Sequence, residues 1–233
     1  MQWNPTDPSV LLTGAYDKRV CVFDTRTPDS TLSWKLTSDV ECLQWSPWRT
    51  HEWFVATEAG LVQCFDGRMM GETALYTIHA HDLAVSAMDL SRTRPGCLVT
   101  GSADRTVKVW NVGGGSPSVV TSRDVGVGRE FSCSFCPDAV LDSVDPNNSD
   151  SAGDGLVLAV AGAKDKVVLW NLAANAGVQR AFFNGSSGSA GSNTASASAP
   201  STTTTQREVV TVDEEDAEEG DSDEDAMDVG ARR

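Results

Sequence analysis

The sequence predicts an all-β fold made of repeated four-stranded sheets, and two observations carry this prediction. Four stretches share one design: an apolar strand, a turn of small residues, and a second strand that ends in an aromatic residue followed by Asp or Asn. These stretches are residues 11–24, 54–66, 98–111 and 157–171. Their last residues lie 42, 45 and 60 positions apart. The first two intervals match the period of a β-propeller blade, which is about 40–45 residues.

Each stretch has the pattern of a β-hairpin. In the third, Val107 and Val109 alternate with polar neighbours at the two-residue period of a half-buried strand. Gly101 and Asp104 flank the turn, where both residue types tolerate the backbone conformations of a tight hairpin. A further strand is predicted before each hairpin. These strands contain Trp3-Asn4-Pro5, Trp45-Ser46-Pro47, Met88-Asp89-Leu90-Ser91 and Phe135-Cys136-Pro137.

On these residues the chain resembles the WD-repeat family, whose members fold as β-propellers. The third copy matches best, because His81, Asp104 and Trp110, with Thr100 or Ser102, stand where the family has a structural hydrogen-bond network. The resemblance implies that this network ties the outer loop of the blade to its third strand. The other copies depart from the pattern. Phe23 and Phe65 replace the tryptophan, and Ala59 in the second copy stands where the family has the aspartate of the turn.

The predicted propeller occupies residues 1–183 and contains about four recognisable blades. Seven blades need roughly 300 residues, so we expect an incomplete, seven-bladed propeller whose isolated arc has unpaired strand edges. A loop insertion at about residues 138–156, rich in Asp, Ser, Asn and Gly, accounts for the long third interval. It is either a tolerated surface extension or part of a binding face. Residues 184–206 are predicted to be a disordered linker rich in Ser, Gly, Ala and Thr, and residues 207–233 a disordered acidic tail.

Charge and cysteine content restrict the classes of function. The net charge is −15, of which the tail contributes −9 and the remaining 206 residues −6. Broad contact with nucleic acid is disfavoured, because phosphate binding needs a basic surface. Six cysteines without a secretory signal predict reduced thiols. Only Cys133 and Cys136 have metal-ligand spacing, and no second pair completes a zinc site. We also expect no membrane span, which would need an apolar run of about 20 residues.

No catalytic motif stands out in the sequence. There is no phosphate-binding Walker loop, no Gly-x-Ser-x-Gly nucleophile elbow and no His-Glu-x-x-His zinc helix. The glycine run at residues 113–115 lacks the Lys and Ser or Thr of a phosphate loop. We therefore predict a non-enzymatic protein that binds other proteins, with no cofactor, metal ion or small-molecule substrate.

A more specific resemblance is to the C-terminal portion of the periodic tryptophan protein 1 family, and it covers roughly residues 1–183. The last blade shares the short turn of that family, since Gly162 to Trp170 is one residue shorter than the stretch that begins at Gly101. The resemblance implies a scaffold in ribosome biogenesis, in large-subunit pre-rRNA processing and ribosomal DNA transcription, located in the nucleus and nucleolus. Its partners would be ribosome assembly factors, and histones or ribosomal proteins, with RNA and chromatin contacted indirectly. The matching stretches are Gln2-Trp3-Asn4-Pro5, Val22-Phe23-Asp24, Leu43-Gln44-Trp45, Ala80-His81, Met88-Asp89-Leu90-Ser91, Gly96-Cys97-Leu98-Val99-Thr100, Ser102-Ala103-Asp104, Val107-Lys108-Val109-Trp110 and Ser122-Arg123-Asp124.

Two other functions remain open. Phe23-Asp24-Thr25-Arg26 and Phe65-Asp66-Gly67-Arg68 resemble the Trp-Asp-x-Arg box with which some WD proteins dock on adaptors of cullin-type ubiquitin ligases. Arg26 and Arg68 would then be adaptor contacts of a substrate receptor, or each would only pair with a nearby carboxylate. The second alternative is a chromatin- or histone-binding propeller.

The acidic tail also has two interpretations. It either only solvates the end of the chain or attracts basic partners in a salt-dependent manner. Ser222 precedes three acidic residues and is a candidate phosphorylation site for acidophilic casein-type kinases, and Thr211, with Glu214 three positions on, is a second candidate. Phosphorylation would add a charge of about −1.5 to −2 at each site.

Overall fold

The structure, a computed structural model, describes residues 1–27, 29, 31–69, 73–114, 116–136 and 156–183. These residues form four antiparallel sheets, and the predicted all-β fold is confirmed. Sheet 1 contains β1 Gln2–Trp3, β2 Val10–Ala15, β3 Arg19–Asp24 and β4 Thr31–Lys35. Sheet 2 contains β5 Val40–Trp45, β6 Glu52–Thr57, β7 Leu61–Asp66 and β8 Tyr76–His79. Sheet 3 contains β9 Val85–Leu90, β10 Cys97–Ser102, β11 Thr106–Asn111 and β12 Ser118–Asp124, and sheet 4 contains β13 Glu130–Phe135, β14 Val157–Gly162 and β15 Val167–Asn171.

Within each sheet the strands lie side by side in chain order. The first strands of neighbouring sheets pack against one another, so that β5, β9 and β13 form the inner edge of the arc. The later strands of each sheet lie progressively outward. The strand predicted before each hairpin is therefore the innermost strand of its sheet.

The hairpin of sheet 4 has the same length as the others, which corrects the prediction of a shorter turn. Gly101 pairs with Val107 in sheet 3, and Ala161 pairs with Val167 in sheet 4. The counterpart of Gly101 is thus Ala161, because strand register and not glycine identity fixes the alignment. Each turn has a positive φ at the same position, and the four residues are Lys18, Gly60, Arg105 and Asp165.

The Asp or Asn that ends each third strand closes a turn, which explains why the four stretches share this ending. In each case the side-chain Oδ1 accepts a hydrogen bond from the backbone N–H two residues later, an arrangement that short polar side chains make readily. The N–H donors and their distances to Oδ1 are Arg26 at 2.9 Å, Arg68 at 2.9 Å, Gly113 at 3.0 Å and Ala173 at 3.0 Å.

Three hydrophobic clusters hold the sheets together, one between each neighbouring pair. The cluster between sheets 1 and 2 includes Trp34 and Trp53, whose ring centroids are 5.2 Å apart. The cluster between sheets 2 and 3 includes Phe54 and Trp110, and the one between sheets 3 and 4 includes Trp170. Each cluster lies between the face of one sheet and the facing side of the next. Burial of apolar area therefore stabilises the packing of one sheet on another, and a sheet on its own would lack this stabilisation.

The two outer faces of the arc expose apolar side chains. On sheet 1, Trp3 is 53 % exposed and Phe23 is 37 % exposed. On sheet 4, Val167 is 58 % exposed and Leu169 is 63 % exposed. Their counterparts on the inner sheets lie in the hydrophobic clusters, as Phe65 shows for Phe23. Each end of the arc therefore exposes the kind of apolar face that, within the arc, packs against the next sheet.

A short helical segment follows β15 and packs against the cluster between sheets 3 and 4. It consists of a 3-10 helix at Leu172–Ala174, the helix α1 at Ala176–Val178 and a π-helical turn at Gln179–Phe183. Val178 is fully buried, and the guanidinium of Arg94, in the loop between β9 and β10, lies 3.9 Å from the centre of the Phe183 ring. Within the part of the chain that the structure describes, none of the helices has the length and the apolar composition that a membrane crossing requires.

Several predicted features lie outside the described residues. These are the insertion at about 138–156, of which only Leu156 is described, the linker 184–206 and the acidic tail 207–233. The candidate phosphorylation sites Thr211 and Ser222 belong to that tail. These assignments stay predictions.

Candidate functional site

A chain of buried hydrogen bonds links the loop before β9 to the hairpin of sheet 3. The indole Nε1–H of Trp110 donates to Oγ1 of Thr100 at 3.0 Å. The same oxygen lies 2.8 Å from Nε2 of His81, and Nδ1 of His81 lies 2.8 Å from Oδ2 of Asp104. Four of the five residues predicted for the network are thus joined in one continuous line.

Asp104 only accepts, so Nδ1–H of His81 donates to it. The direction of the hydrogen bond between His81 and Thr100 depends on the charge of the ring. Burial favours the neutral ring, in which Nε2 accepts the hydroxyl proton of Thr100. Burial lowers the pKa of the His81 imidazole, against the opposing effect of Asp104. Burial also raises the pKa of the Asp104 carboxyl, but hydrogen bonds from Thr106 and His81 outweigh it and hold that pKa below its usual value.

Ser102 has a different position from Thr100. Its hydroxyl donates to the carbonyl oxygen of Ala84 at 2.7 Å and accepts the backbone N–H of Asp104 at 3.1 Å. Ser102 therefore fixes the loop and the turn directly, whereas Thr100 connects them through His81. The sequence left Thr100 or Ser102 as alternatives, and the structure uses both.

Two further residues take part that the sequence analysis did not assign. The hydroxyl of Thr106 donates to Oδ1 of Asp104 at 2.6 Å, and Nζ of Lys108 donates to the carbonyl oxygen of Ala80 at 2.7 Å. Both residues occupy the polar positions of β11. Oγ1 of Thr106 also lies 3.2 Å from Nδ1 of His81. The alternation of Thr106 and Lys108 with valine indicated a strand face but carried no signal for the contacts with His81 and Ala80, because these partners lie in a loop more than 20 positions earlier.

The same loop is fastened to sheet 2 through Gly60. The backbone N–H groups of Ala80 and His81 donate to the carbonyl oxygen of Gly60 at 2.9 and 3.0 Å. Gly60 has a φ of +78°, and a Cβ atom there would collide with the carbonyl oxygen of His81. The loop that carries His81 is thus held between sheets 2 and 3. Its backbone bonds to Gly60 and the side chain of His81 bonds to Thr100 and Asp104, so these polar groups serve to fix the loop.

Arg26 and Arg68 lie at the opposite end of the sheets, in equivalent loops after β3 and β7. Arg26 forms a two-bond fork with Asp24, from Nε to Oδ1 at 2.9 Å and from Nη2 to Oδ2 at 2.8 Å. Arg68 forms the same fork with Asp66, at 3.0 and 2.7 Å. Arg26 also contacts Asp7 at 2.9 Å. Both arginine side chains remain well exposed, at 60 % and 66 %.

These forks shift the acidity of their carboxylates. The hydrogen bonds from Arg26 lower the pKa of Asp24 to about 2, and those from Arg68 lower the pKa of Asp66. Each arginine is thus paired with a nearby carboxylate, as one of the two interpretations required. The pairing also fixes each guanidinium in the same orientation on neighbouring sheets, and leaves its outer edge open to a partner.

Three of the six cysteines have the environment of core residues. Cys64, Cys97 and Cys133 are buried, and burial raises the pKa of the Cys64 and Cys97 thiols to about 12. Buried neutral thiols of this kind pack as small apolar groups. Among the described residues, no group of three or more His, Cys, Asp or Glu side chains could hold a metal ion.

Comparison with known proteins agrees with the sheet architecture. Residues 72–111 match the family described as WD domain, G-beta repeat, and this stretch contains the whole hydrogen-bonded line from His81 to Trp110. The chain is 35 % identical to an uncharacterized WD repeat-containing protein of Schizosaccharomyces pombe over 150 residues, which is 64 % of the chain. It is 29 % identical to periodic tryptophan protein 1 of Saccharomyces cerevisiae over 196 residues, which is 78 % of the chain. It is also 26 % identical to a ribosome biogenesis protein WDR12 homolog of Trichoplax adhaerens over 104 residues, which is 44 % of the chain.

The chain spans between 24 % and 31 % of the length of these relatives. Among solved structures, it is similar to a chain in a crystal structure of the mitotic checkpoint complex, with a TM-score of 0.58 and 19 % identity. This likeness covers 75 % of the chain and 48 % of the other protein, and it concerns the fold alone. From the four sheets, the matched repeat and these relatives together, the chain belongs to the WD-repeat proteins and is a distant homologue of periodic tryptophan protein 1.

Proposed function

We propose that this chain is a non-enzymatic scaffold in ribosome biogenesis, with a role in large-subunit pre-rRNA processing and in transcription at ribosomal DNA. The observation that carries the proposal is the similarity to periodic tryptophan protein 1 over 78 % of the chain. A relative named as a ribosome biogenesis protein supports the same process. The expected location is the nucleus and nucleolus.

The state of the polar site favours a scaffold over a catalyst. His81 and Asp104 are a pair that elsewhere could transfer a proton, but here both ring nitrogens and both carboxylate oxygens have partners within the protein. A general base needs a free position within reach of a substrate. WD domains typically act as non-catalytic platforms for other proteins, so we expect the exposed loops to carry the function.

The charge of the chain indicates which partners to expect. A net charge of −15 opposes direct binding to RNA phosphates and favours basic proteins. Ribosome assembly factors, ribosomal proteins and histones are therefore the proposed partners, and contact with RNA or chromatin would be indirect.

Affinity purification at low and high salt tests the proposal. The tagged full chain should recover large-subunit assembly factors, and depletion of the protein should lower large-subunit precursors without an equal loss of small-subunit precursors. A matched chain that ends at residue 206 shows whether the acidic tail recruits them, since contacts of the tail should weaken as salt screens charge. Exclusion from the nucleolus together with unchanged precursor levels would contradict the proposal.

A substrate receptor of a cullin-type ubiquitin ligase is the second candidate, because Arg26 and Arg68 have the same fork geometry at the same end of neighbouring sheets. Under this alternative, Arg26→Ala with Arg68→Ala abolishes binding of the ligase adaptor while circular dichroism stays unchanged. Arg49→Ala with Arg92→Ala removes two arginines from the same end of the sheets and should leave adaptor binding intact. Adaptor binding that survives the first double substitution would refute the assignment of Arg26 and Arg68.

A further inference from the structure

The loops between the first two strands of sheets 2 and 3 are built alike and carry an arginine at the same position. In sheet 2, Oγ of Ser46 accepts a hydrogen bond from the backbone N–H of Arg49 at 3.1 Å. In sheet 3, Oγ of Ser91 accepts one from the backbone N–H of Arg94, also at 3.1 Å. The indole Nε1–H of Trp48 donates to the carbonyl oxygen of Ser91 at 2.8 Å and joins the two loops. Arg49 and Arg94 therefore occupy equivalent points of two connected loops.

Both of these arginine side chains are oriented by a neighbour. Nη1 of Arg49 donates to Oε1 of Glu52 at 2.9 Å, and 57 % of the Arg49 side chain remains exposed. Arg94 is half-buried, and its guanidinium lies over the ring of Phe183 in the helical segment after β15. A guanidinium that is held in place before binding loses less conformational entropy when a partner contacts it.

Two further arginines extend this positive surface. Arg92 lies in the same loop as Arg94, and Arg180 lies three positions before Phe183 in the helical segment. Both are exposed, and neither forms an ion pair with another described residue. The two loops and the helical segment contain four arginines and no Asp or Glu, and with Glu52 included the net charge is +3. We name these four residues the arginine stripe: Arg49, Arg92, Arg94 and Arg180.

Sheet 1 has the corresponding loop with the opposite charge. There Oδ1 of Asn4 accepts the backbone N–H of Asp7 at 3.0 Å, so that Asp7 takes the place of Arg49. Asp7 in turn pairs with Arg26. The arginine stripe therefore begins at sheet 2 and continues across sheet 3 to the helical segment.

Two further carboxylates lie at this end of sheets 2 and 3. Asp66 is held in the fork from Arg68. Asp89 accepts Nε2 of Gln44 and the backbone N–H of Phe135. Hydrogen bonds within the protein thus occupy both carboxylates.

A row of arginines of this kind fits an extended acidic segment. The guanidinium fork matches the two oxygens of a carboxylate, as Arg68 shows with Asp66 at the same end of the sheets. Packed sheets lie about 10 Å apart, so a row from sheet 2 across sheet 3 to the helical segment is about 20 Å long, the length of about six extended residues. We propose that the arginine stripe binds an acidic segment of a partner protein in extended form. Such binding is independent of the proposed role in ribosome biogenesis and of the candidate adaptor contacts at Arg26 and Arg68.

The aromatic residues of this surface favour a peptide over a single strand of RNA. Proteins that bind single strands without sequence preference stack the bases on free aromatic rings. Here Arg94 covers the ring of Phe183, and Trp48 is half-buried with its indole N–H bonded to Ser91. A short acidic segment also responds mainly to charges within the screening length, which is about 8 Å at physiological salt. The net charge of −15 therefore opposes such a segment less than it opposes a long polyanion.

Fluorescence anisotropy of a labelled peptide of alternating Glu and Gly, titrated with the full chain, tests the proposal. The peptide should bind at low salt, and its affinity should fall as salt screens the charges. Arg92→Glu with Arg180→Glu should lower the affinity at least about tenfold, because two attractions become repulsions. Arg105→Glu with Arg129→Glu makes the same change in net charge at the opposite end of the sheets and should alter the affinity by less than about twofold.

Circular dichroism should be unchanged in both double variants, since all four arginines are exposed. Absence of peptide binding to the full chain, or equal losses of affinity in the two variants, would overturn the proposal. An oligouridylate with the same number of charges is the second probe. If it binds more tightly than the peptide and loses affinity in Arg92→Glu with Arg180→Glu, the stripe is a surface for nucleic acid and the assignment to an acidic segment is refuted.

Discussion

The carboxylate of Asp89 in sheet 3 accepts a hydrogen bond from the backbone N–H of Phe135 in sheet 4, with 2.7 Å between Oδ2 and the nitrogen. Its other oxygen accepts Nε2 of Gln44 in sheet 2, also at 2.7 Å. At the equivalent position of sheet 1, Oε1 of Gln2 accepts the backbone N–H of Trp45 in sheet 2 at 2.6 Å. Polar side chains one residue before the end of each inner strand thus join consecutive sheets.

Replacing Asp89 by Ala should lower the free energy of unfolding by about 1–3 kcal/mol, because the half-buried amides of Gln44 and Phe135 lose their acceptor. Chemical denaturation followed by tryptophan fluorescence measures this loss. Asp82→Ala removes an exposed carboxylate from the neighbouring loop and should change stability by less than about 0.5 kcal/mol. Equal midpoints for the two variants would show that the links between inner strands do not stabilise the arc.

Thr100→Val should destabilise the protein by about 1–3 kcal/mol, although valine has nearly the same shape as threonine. The substitution leaves the Trp110 indole N–H and Nε2 of His81 without a partner in the buried site. Thr31→Val, at an exposed position of β4, is the matched control and should be close to neutral. The difference between the two unfolding free energies gives the contribution of the buried hydroxyl to stability. Equal unfolding free energies for the two variants would contradict the continuous line of hydrogen bonds from Trp110 to His81.

Stability should fall as the pH drops below about 7, and His81 is one cause. In the unfolded chain the histidine pKa is about 6.5, whereas burial lowers the folded value. As pH falls through 6.5 the unfolded state takes up the proton first, so stability is lost until the pH has passed below the folded pKa. Above that window both states are neutral and this contribution is constant.

The measurement for this effect is the urea midpoint at pH 7.5 and pH 5.5, compared between variants. His81→Gln should flatten the pH dependence, even if it lowers stability at both values. His79→Gln removes an exposed histidine and should keep the slope. A slope that persists unchanged in His81→Gln would assign the dependence to other groups.

Gly60→Ala should cost more than about 1 kcal/mol, because alanine disfavours the left-handed conformation and its Cβ meets the carbonyl oxygen of His81. Gly114→Ala is the control, since a Cβ at Gly114 has no atom within 4 Å. Thermal unfolding by circular dichroism should separate the two variants clearly. Similar melting temperatures would mean that the loop before β9 shifts to admit the methyl group.

The sequence predicted the sheets well, because strands such as β11 alternate apolar and polar residues and each third strand ends in a turn-forming Asp or Asn. It predicted the membership of the buried site through family resemblance, but not the separate tasks of Thr100 and Ser102. Two residues of the same chemistry two positions apart on one strand cannot be distinguished until the partner loop is placed. The contacts of Lys108 and Asp89 were missed for the same reason, since the partner of Lys108 lies 28 positions away and those of Asp89 lie 45 and 46 positions away.

The wrong alignment of the last hairpin has a related physical cause. Gly162 matched Gly101 by residue type, yet strand register pairs Ala161 with Val167. The residue that adopts the positive φ in this turn is Asp165 and not a glycine. Glycine identity is therefore a poor guide to register wherever another residue takes the left-handed conformation.

The three hydrophobic clusters each join only adjacent sheets, and this has a consequence for how the arc loses its structure. Sheets 2 and 3 are each held by two clusters, whereas sheets 1 and 4 are each held by one. Such nearest-neighbour coupling makes local opening easiest at the termini of the stack and hardest in its middle. A disturbance that begins in sheet 1 reaches sheet 4 only by passing through both central sheets, so the arc should melt inward from its ends.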